Sequence, residues 1–152
     1  MILFALRHAE RQAGGADALS PAGKRRAELL ARMLGESGVR LALCSDAART
    51  QQTVAPLVAA LGSALEVAEV RTDGPDGIDG HICDVVKRLK ALPAEAVAVV
   101  VGHTNTIGPI IKALCGQDTA TIAESEFDKL FAGATTGAQG MAALMRYGEK
   151  TP

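Results

Sequence analysis

Two arginines and two histidines are the residues of this sequence whose types and placement suit chemistry on an anion. Arg7 and His8 directly follow one apolar run, Arg49 follows a second run, and His103 follows a third. Guanidinium groups bind phosphate oxygens through planar, charge-assisted hydrogen bonds. A neutral imidazole beside them can attack phosphorus, and a second imidazole, if protonated, would stabilise charge on the phosphoryl oxygens. The four side chains therefore predict a phosphoryl-transfer site, provided that the fold brings them together.

Four short apolar runs predict the strands that position these residues. They span residues 2–6, 41–44, 65–70 and 97–101, and their aliphatic composition is typical of strands covered on both faces. In an open α/β sheet, the functional site lies outside the carboxyl ends of the strands. Because the candidate residues follow three of these strands, we expect them to converge at that edge of the sheet.

Helical patterns lie between and after the strands. Ser20 is a good N-cap before a proline, and apolar residues recur with helical spacing over residues 46–61, 82–89 and 107–114. The alternating order predicts a three-layer α/β/α fold, a mostly parallel sheet with helices on both faces.

The C-terminal part has a different pattern. Residues 127–132 and 141–147 are apolar and flank a Gly/Thr-rich stretch, which predicts a strand hairpin at the sheet edge. The length of 152 residues predicts one domain over residues 1–152. The oligomeric state stays open, although edge strands near Phe131 and Met145 could pair between chains.

Composition limits the classes of partner. The net charge is −1 and aromatic residues make up 3% of the chain, so neither a nucleic acid nor a membrane surface is the expected partner. The basic run at residues 24–26 is expected to be the solvated first turn of a helix. Three widely separated cysteines indicate a reducing compartment, and the location is predicted to be cytoplasmic unless a signal peptide has been trimmed.

Around the candidate residues the chain resembles the histidine phosphatase superfamily, whose fold is phosphoglycerate-mutase-like. The similar segments include LRHAE after the first strand, CSDAARTQQTVAPLVAALG after the second, and VVVGHTNTIGPIIKALCG around the fourth. The resemblance covers nearly the whole chain and implies a phosphatase without a metal ion or another cofactor. It implies His8 as the nucleophile, Arg7 and Arg49 as phosphate ligands, and His103 as the second pocket histidine.

The general acid is the part of the family pattern that this chain does not match clearly. Members that hydrolyse ordinary phosphomonoesters place a Glu or Asp after the third strand, where this chain offers Asp73, Asp76 and Asp79. Some small members lack the acid and act on phosphoramidate or anhydride bonds, whose leaving groups need less protonation. Both substrate classes therefore stay open. The long insertions of the family's mutases are absent, which disfavours mutase activity.

Several neighbouring residues have competing interpretations. Glu10 is expected to pair with one of the arginines at positions 7 and 11. Ser45 is expected to be a turn or cap residue, and His81 a structural histidine rather than a metal ligand. Thr104 either binds the phosphoryl group or caps the following helix.

The sequence predicts a metal-independent phosphatase that hydrolyses a phosphoryl group through a covalent phosphohistidine on His8. A small phosphomonoester is the leading substrate, and protein phosphohistidine or a phosphoanhydride is a close alternative. A phosphate-binding or interaction protein with weak turnover is the alternative from another class. The expected partner is therefore a small phosphorylated molecule or a phosphoprotein.

Overall fold

The predicted strands form one six-stranded sheet in the computed structural model, which describes residues 1–137 and 139–152. The strands are β1 (Ile2–Arg7), β2 (Leu41–Ser45), β3 (Glu66–Val70), β4 (Val97–Gly102), β5 (Lys129–Thr136) and β6 (Gln139–Arg146). Their order across the sheet is β3-β2-β4-β1-β5-β6. The first four strands run parallel, whereas β5 and β6 form an antiparallel hairpin at one edge. The mostly parallel sheet is therefore confirmed.

Helices cover both faces of the sheet. They are α1 (Pro21–Leu34), α2 (Ala48–Leu61), α3 (Gly77–Lys90) and α4 (Ile107–Cys115). Along β4, Ala98 and Val100 pack on the side of α3 and α4, while Val99 and Val101 pack on the side of α1 and α2. The three-layer α/β/α fold is confirmed, and its two cores are almost entirely aliphatic. None of these four helices, in the described part of the chain, has the length and hydrophobicity of a membrane span.

Two helix ends follow from local sequence. The Ser20 hydroxyl accepts a hydrogen bond from the Gly23 N–H at 3.1 Å, which caps α1. Gly116 ends α4 with a φ of 67°, a left-handed conformation that favours glycine. These two boundaries fix the directions in which the chain enters α1 and leaves α4.

The third strand differs from its prediction. β3 lies at the sheet edge, and Val70 is its one buried residue. Glu66 and Glu69 are exposed, as befits an edge strand with one neighbour. The expectation that this strand is covered on both faces was therefore wrong.

The basic run at residues 24–26 also differs from its prediction, because Arg26 is buried. Its Nε and Nη2 donate to the Glu10 carboxylate at 2.7–3.0 Å, and its Nη1 donates to the Tyr147 carbonyl at 2.5 Å. Glu10 thus pairs with Arg26 and not with Arg7 or Arg11. The pair joins the segment after β1 to α1 and to the C-terminal segment.

Candidate active site

The carboxyl ends of β1, β2 and β4 border an open pocket of about 420 Å³. Five of the candidate residues line it, namely Arg7, His8, Arg49, His103 and Thr104. The remaining lining residues are Arg11, Thr72, Ile78, Asn105 and Glu124. Three arginines face one carboxylate in this lining, so the pocket suits an anion.

His8 sits at the base of the pocket with a defined tautomer. Its backbone N–H donates to the Gly102 carbonyl at 2.9 Å, and this hydrogen bond fixes His8 beside β4. Its Nδ1 lies 2.8 Å from the Ala9 carbonyl oxygen. Because a carbonyl can only accept, Nδ1 carries the proton and Nε2 carries the lone pair. His8 therefore has the form that a nitrogen nucleophile requires.

The environment of His8 also keeps its imidazole neutral. Burial lowers the pKa of His8 from 6.5 to about 3, and the nearby Arg7 and Arg49 cations act in the same direction. The hydrogen bond to Ala9 opposes this shift only in part. At neutral pH the imidazole is therefore uncharged and its lone pair is available.

Arg7 is held by main-chain oxygens of a distant loop. Its Nη1 donates to the carbonyls of Ala123, Glu124 and Glu126 at 3.1, 2.7 and 3.2 Å. Its Nη2 donates to the Glu124 carboxylate at 3.1 Å. Within the described residues, its buried Nε has no hydrogen-bond partner. The Nε–Nη2 edge is therefore the edge left for a phosphoryl group.

Residues 123–127 form the segment that holds Arg7, which we call the anchoring loop. Phe127 stacks under the guanidinium, with the Arg7 Cζ 4.2 Å from the ring centre. The Phe127 ring also lies 6.0 Å from the His8 ring. The sequence placed Phe127 in a strand, but β5 begins only at Lys129. Its aromatic type in an aromatic-poor chain was the available signal for a special role.

Arg49 lies in the first turn of α2 and is held by Asp17. The Asp17 carboxylate accepts from Arg49 Nη1 at 2.7 Å and from the Ala48 and Arg49 backbone N–H groups at 2.8 and 3.3 Å. One exposed carboxylate thus caps α2 from another loop and pairs with a candidate phosphate ligand. Sequence reasoning did not single out Asp17.

His103 follows β4 and has two side-chain partners. Its Nδ1 lies 3.3 Å from Arg49 Nη2, which can only donate, so Nδ1 accepts. Its Nε2 therefore carries the proton and donates to the Ser45 hydroxyl at 2.8 Å. Ser45 is fully buried and also lies 3.0 Å from the Thr50 hydroxyl. The position of Ser45 at the end of β2 makes it a support for His103.

Burial is the main cause that lowers the pKa of His103 to about 4, and the Arg49 cation adds to it. The second histidine is thus neutral in the empty pocket, whereas the sequence-based argument used its protonated form.

A glycine allows β4 to end this close to α4. A Cβ at Gly102 would lie 2.5 Å from the Thr106 hydroxyl oxygen. That oxygen accepts a hydrogen bond from the backbone N–H of His103 at 2.9 Å, so it cannot move away without losing this hydrogen bond. Any larger residue at position 102 would therefore displace the turn that carries His103.

The three aspartates considered as general acids do not line the pocket. Asp73 pairs with Arg71 on the surface at 2.7 Å, and Asp76 and Asp79 border a separate cavity with Asp84. The segment after β3 is directed by Asp46, whose carboxylate accepts from the Thr72 N–H and hydroxyl. The expectation that one of these aspartates serves as the general acid was therefore wrong, because none of them faces the pocket.

The carboxylate that does line the pocket is Glu124, in the anchoring loop. Its Oε2 accepts from Arg7, and its Oε1 accepts from the Thr104 hydroxyl at 3.0 Å. Its side chain is 81% exposed. Sequence reasoning missed Glu124 because it follows no strand and lies 117 residues from Arg7.

His81 and Cys44 are buried structural residues. His81 Nδ1 lies 2.9 Å from the Val70 carbonyl, and Cys44 lies in an apolar core, where burial raises its pKa to about 11. In the described part of the chain, no cluster of three His, Cys, Asp or Glu side chains has the arrangement of a metal site.

Comparisons with known proteins agree with this architecture. The model of the histidine phosphatase superfamily (branch 1) matches residues 3–72, which include Arg7, His8 and Arg49. A solved structure of the protein histidine phosphatase SixA complexed with tungstate is 21% identical, with a TM-score of 0.69 over 96% of this chain and 97% of that one. No curated protein sequence matches the chain.

A second solved structure is a mycobacterial glucosyl-3-phosphoglycerate phosphatase with VO3. It is 18% identical, with a TM-score of 0.64 over 96% of this chain and 98% of that one. At these identities the two structures establish the phosphoglycerate-mutase-like fold. The family model matches the segment that carries four of the five arginines and histidines of the pocket lining, all except His103. The family-model match over residues 3–72 and the fold of the whole chain therefore make this chain similar to the histidine phosphatase superfamily, a family of phosphatase hydrolases.

Proposed function

We propose that this chain is a phosphatase that works without a metal ion and forms a covalent phosphohistidine on His8. The observation that carries the proposal is the His8 tautomer, with Nδ1–H held by the Ala9 carbonyl and the Nε2 lone pair free in an arginine-lined pocket. A neutral imidazole with this lone pair is a competent nucleophile towards phosphorus.

Arg7 and Arg49 bind the phosphoryl group. The Nε–Nη2 edge of Arg7 offers two parallel donors, and Arg49 reaches the same pocket from α2. Both guanidinium groups are held by other partners before substrate arrives, so little reorganisation is needed on binding. The attack then forms the Nε2–P bond and breaks the bond from phosphorus to the leaving group.

His103 supports the charge that develops during transfer. Its ring centre lies 5.5 Å from that of His8, so both imidazoles are within reach of one phosphoryl group. The neutral ring of the empty pocket accepts from Arg49 through Nδ1. A bound phosphoryl dianion favours the protonated form through its opposite charge, and protonated Nδ1 would then donate to a phosphoryl oxygen.

A small phosphomonoester is the leading substrate. The pocket volume of about 420 Å³ is at the lower end of the range of small-molecule sites. A protein phosphoramidate such as phosphohistidine is the second candidate. It is favoured by the position of Asp73, Asp76 and Asp79 outside the pocket, because a phosphoramidate needs less help from an enzymatic acid.

The test is hydrolysis of an activated aryl phosphate by the native chain and by His8→Ala, with and without a chelator. We expect turnover that survives the chelator and falls on the order of a thousandfold or more in His8→Ala. Acid-labile, alkali-stable phosphate on the quenched native protein would identify the phosphohistidine.

The matched control is His81→Gln, which changes a buried histidine that also contacts a carbonyl but lies outside the pocket. It should keep most of the activity. Full activity of a correctly folded His8→Ala protein would overturn the proposal.

A further inference from the structure

Glu124 is the one acidic side chain among the lining residues of the pocket in the described part of the chain. It bridges the pocket, because one carboxylate oxygen accepts from Arg7 Nη2 at 3.1 Å and the other from the Thr104 hydroxyl at 3.0 Å. The backbone of the same residue anchors Arg7 through its carbonyl at 2.7 Å. The carboxylate is therefore fixed beside the guanidinium edge that is left for phosphate.

A phosphoryl group that binds to the Nε–Nη2 edge of Arg7 must displace this carboxylate from Nη2. The displaced side chain stays close to the phosphoryl group, because its own backbone is tied to the same guanidinium. Its side chain is 81% exposed, so it can turn without disturbing the core.

We infer that Glu124 is the general acid and base of the reaction, in place of a residue after β3. This inference rests on the proposed phosphatase function. In the first step, the Nε2–P bond forms, the P–O bond to the leaving group breaks, and the Glu124 carboxyl proton passes to the leaving oxygen. In the second step, a water oxygen attacks phosphorus, the P–Nε2 bond breaks, and the Glu124 carboxylate takes the proton of that water. Inorganic phosphate then leaves.

The role sets the substrate class. An alkyl phosphate has a poor leaving group and needs the proton, whereas an activated aryl phosphate or a phosphoramidate does not. With Glu124 as the acid, the chain hydrolyses ordinary alkyl phosphomonoesters even though Asp73, Asp76 and Asp79 lie elsewhere.

The experiment compares the native chain, Glu124→Gln and Glu124→Asp on an alkyl phosphate, an activated aryl phosphate and a phosphoramidate. For Glu124→Gln we expect a fall in kcat on the alkyl phosphate on the order of a hundredfold, with little change on the other two substrates. Glu124→Asp keeps a carboxyl group and should recover part of the loss. Asp73→Asn and Asp79→Asn are matched controls that neutralise exposed carboxylates outside the pocket, and they should leave all three rates unchanged.

Two results would overturn the inference. An equal loss on all three substrates would show that Glu124 only positions Arg7. Tighter binding of inorganic phosphate with unchanged alkyl phosphate turnover would show that the carboxylate only competes with the anion. Failure of the underlying phosphatase function is a separate result, since it would appear as activity that does not depend on His8.

Discussion

The pocket has a floor and a rim that are built in different ways. The floor consists of Arg7 and His8, which are buried and held by main-chain carbonyls, and of His103, which the buried Ser45 holds at the end of β2. The rim consists of Glu124, which lines the pocket, and of Asp17, which holds the lining residue Arg49; their side chains are 81% and 47% exposed and lie on loops. The floor therefore has one geometry that the fold enforces, while the rim depends on exposed ion pairs that are individually weak. On an activated aryl phosphate, whose leaving group needs no acid, this difference predicts that substitutions in the floor have much larger effects than those in the rim.

Arg7→Lys should have the largest effect of the substitutions that keep the charge. A lysine ammonium cannot reach the anchoring carbonyls and also present two parallel donors to phosphate. We expect kcat/KM on an aryl phosphate to fall about a hundredfold to a thousandfold. Circular dichroism would verify the fold. A fall in kcat/KM of less than a few fold would contradict the role of Arg7 in binding phosphate.

Ser45→Ala should have the next largest effect, although Ser45 touches no substrate. The change leaves the Nε2–H of His103 without its acceptor and frees the ring to turn. We expect kcat to fall about tenfold to a hundredfold with little change in KM. Ser45→Thr keeps the hydroxyl and should retain more activity. Equal losses in the two variants would mean that packing, and not the hydrogen bond, explains the effect.

The floor also predicts a pH dependence of stability. The pKa values of His8 and His103 fall from 6.5 to about 3 and about 4 in the folded chain. Below pH 6.5 the unfolded chain therefore binds protons that the folded chain does not, and the free energy of unfolding falls as the pH falls towards 4.

Urea denaturation between about pH 7 and pH 4.5 measures this slope. His8→Asn removes one of the two groups, so its slope over this range should be shallower than that of the native chain. An identical slope in both proteins would contradict the assignment.

Asp17→Asn should have the smallest effect. It removes the charge opposite Arg49 but keeps an oxygen that can cap α2, so we expect a loss of stability of about 0.2–1 kcal/mol and a few-fold rise in KM. Asp17→Ala removes the cap as well and should cost about 0.5–2 kcal/mol. If either Asp17 variant lost as much activity as Arg7→Lys, the proposed difference between floor and rim would be wrong.

The sequence predicted the floor better than the rim for a physical reason. The positions of His8 and His103 follow from strand ends that are encoded locally by short aliphatic runs. The same local signals predicted the sheet, its hairpin and the N-cap of α1. The contacts of Glu124 with Arg7 and of Asp17 with Arg49 join residues 117 and 32 positions apart, so they depend on how loops pack in the finished fold.

In the segment after β3, the sequence instead suggested residues that do not reach the pocket. Its three aspartates suited the chemistry by type, but the Asp46 contact with Thr72 and the Arg71 pair with Asp73 direct them away from the pocket. Residue type without loop geometry could not distinguish them from Glu124. Arg26 was misjudged in the same way, because its acceptors include carbonyls near the C-terminus, 121 and 123 positions away.

The three carbonyls that hold Arg7 have a consequence for evolution and for engineering. Main-chain oxygens are present whatever side chains the anchoring loop carries, so substitutions at Ala123 or Glu124 leave these three acceptors in place, whereas the Glu126 carboxylate itself holds the loop through the Ala123 N–H and Lys129. Under the proposed mechanism, positions 123 and 124 of the anchoring loop can therefore acquire new side chains while Arg7 stays in place to bind phosphate. Libraries that vary these positions should yield altered substrate preference from a small number of variants, most of which still bind phosphate.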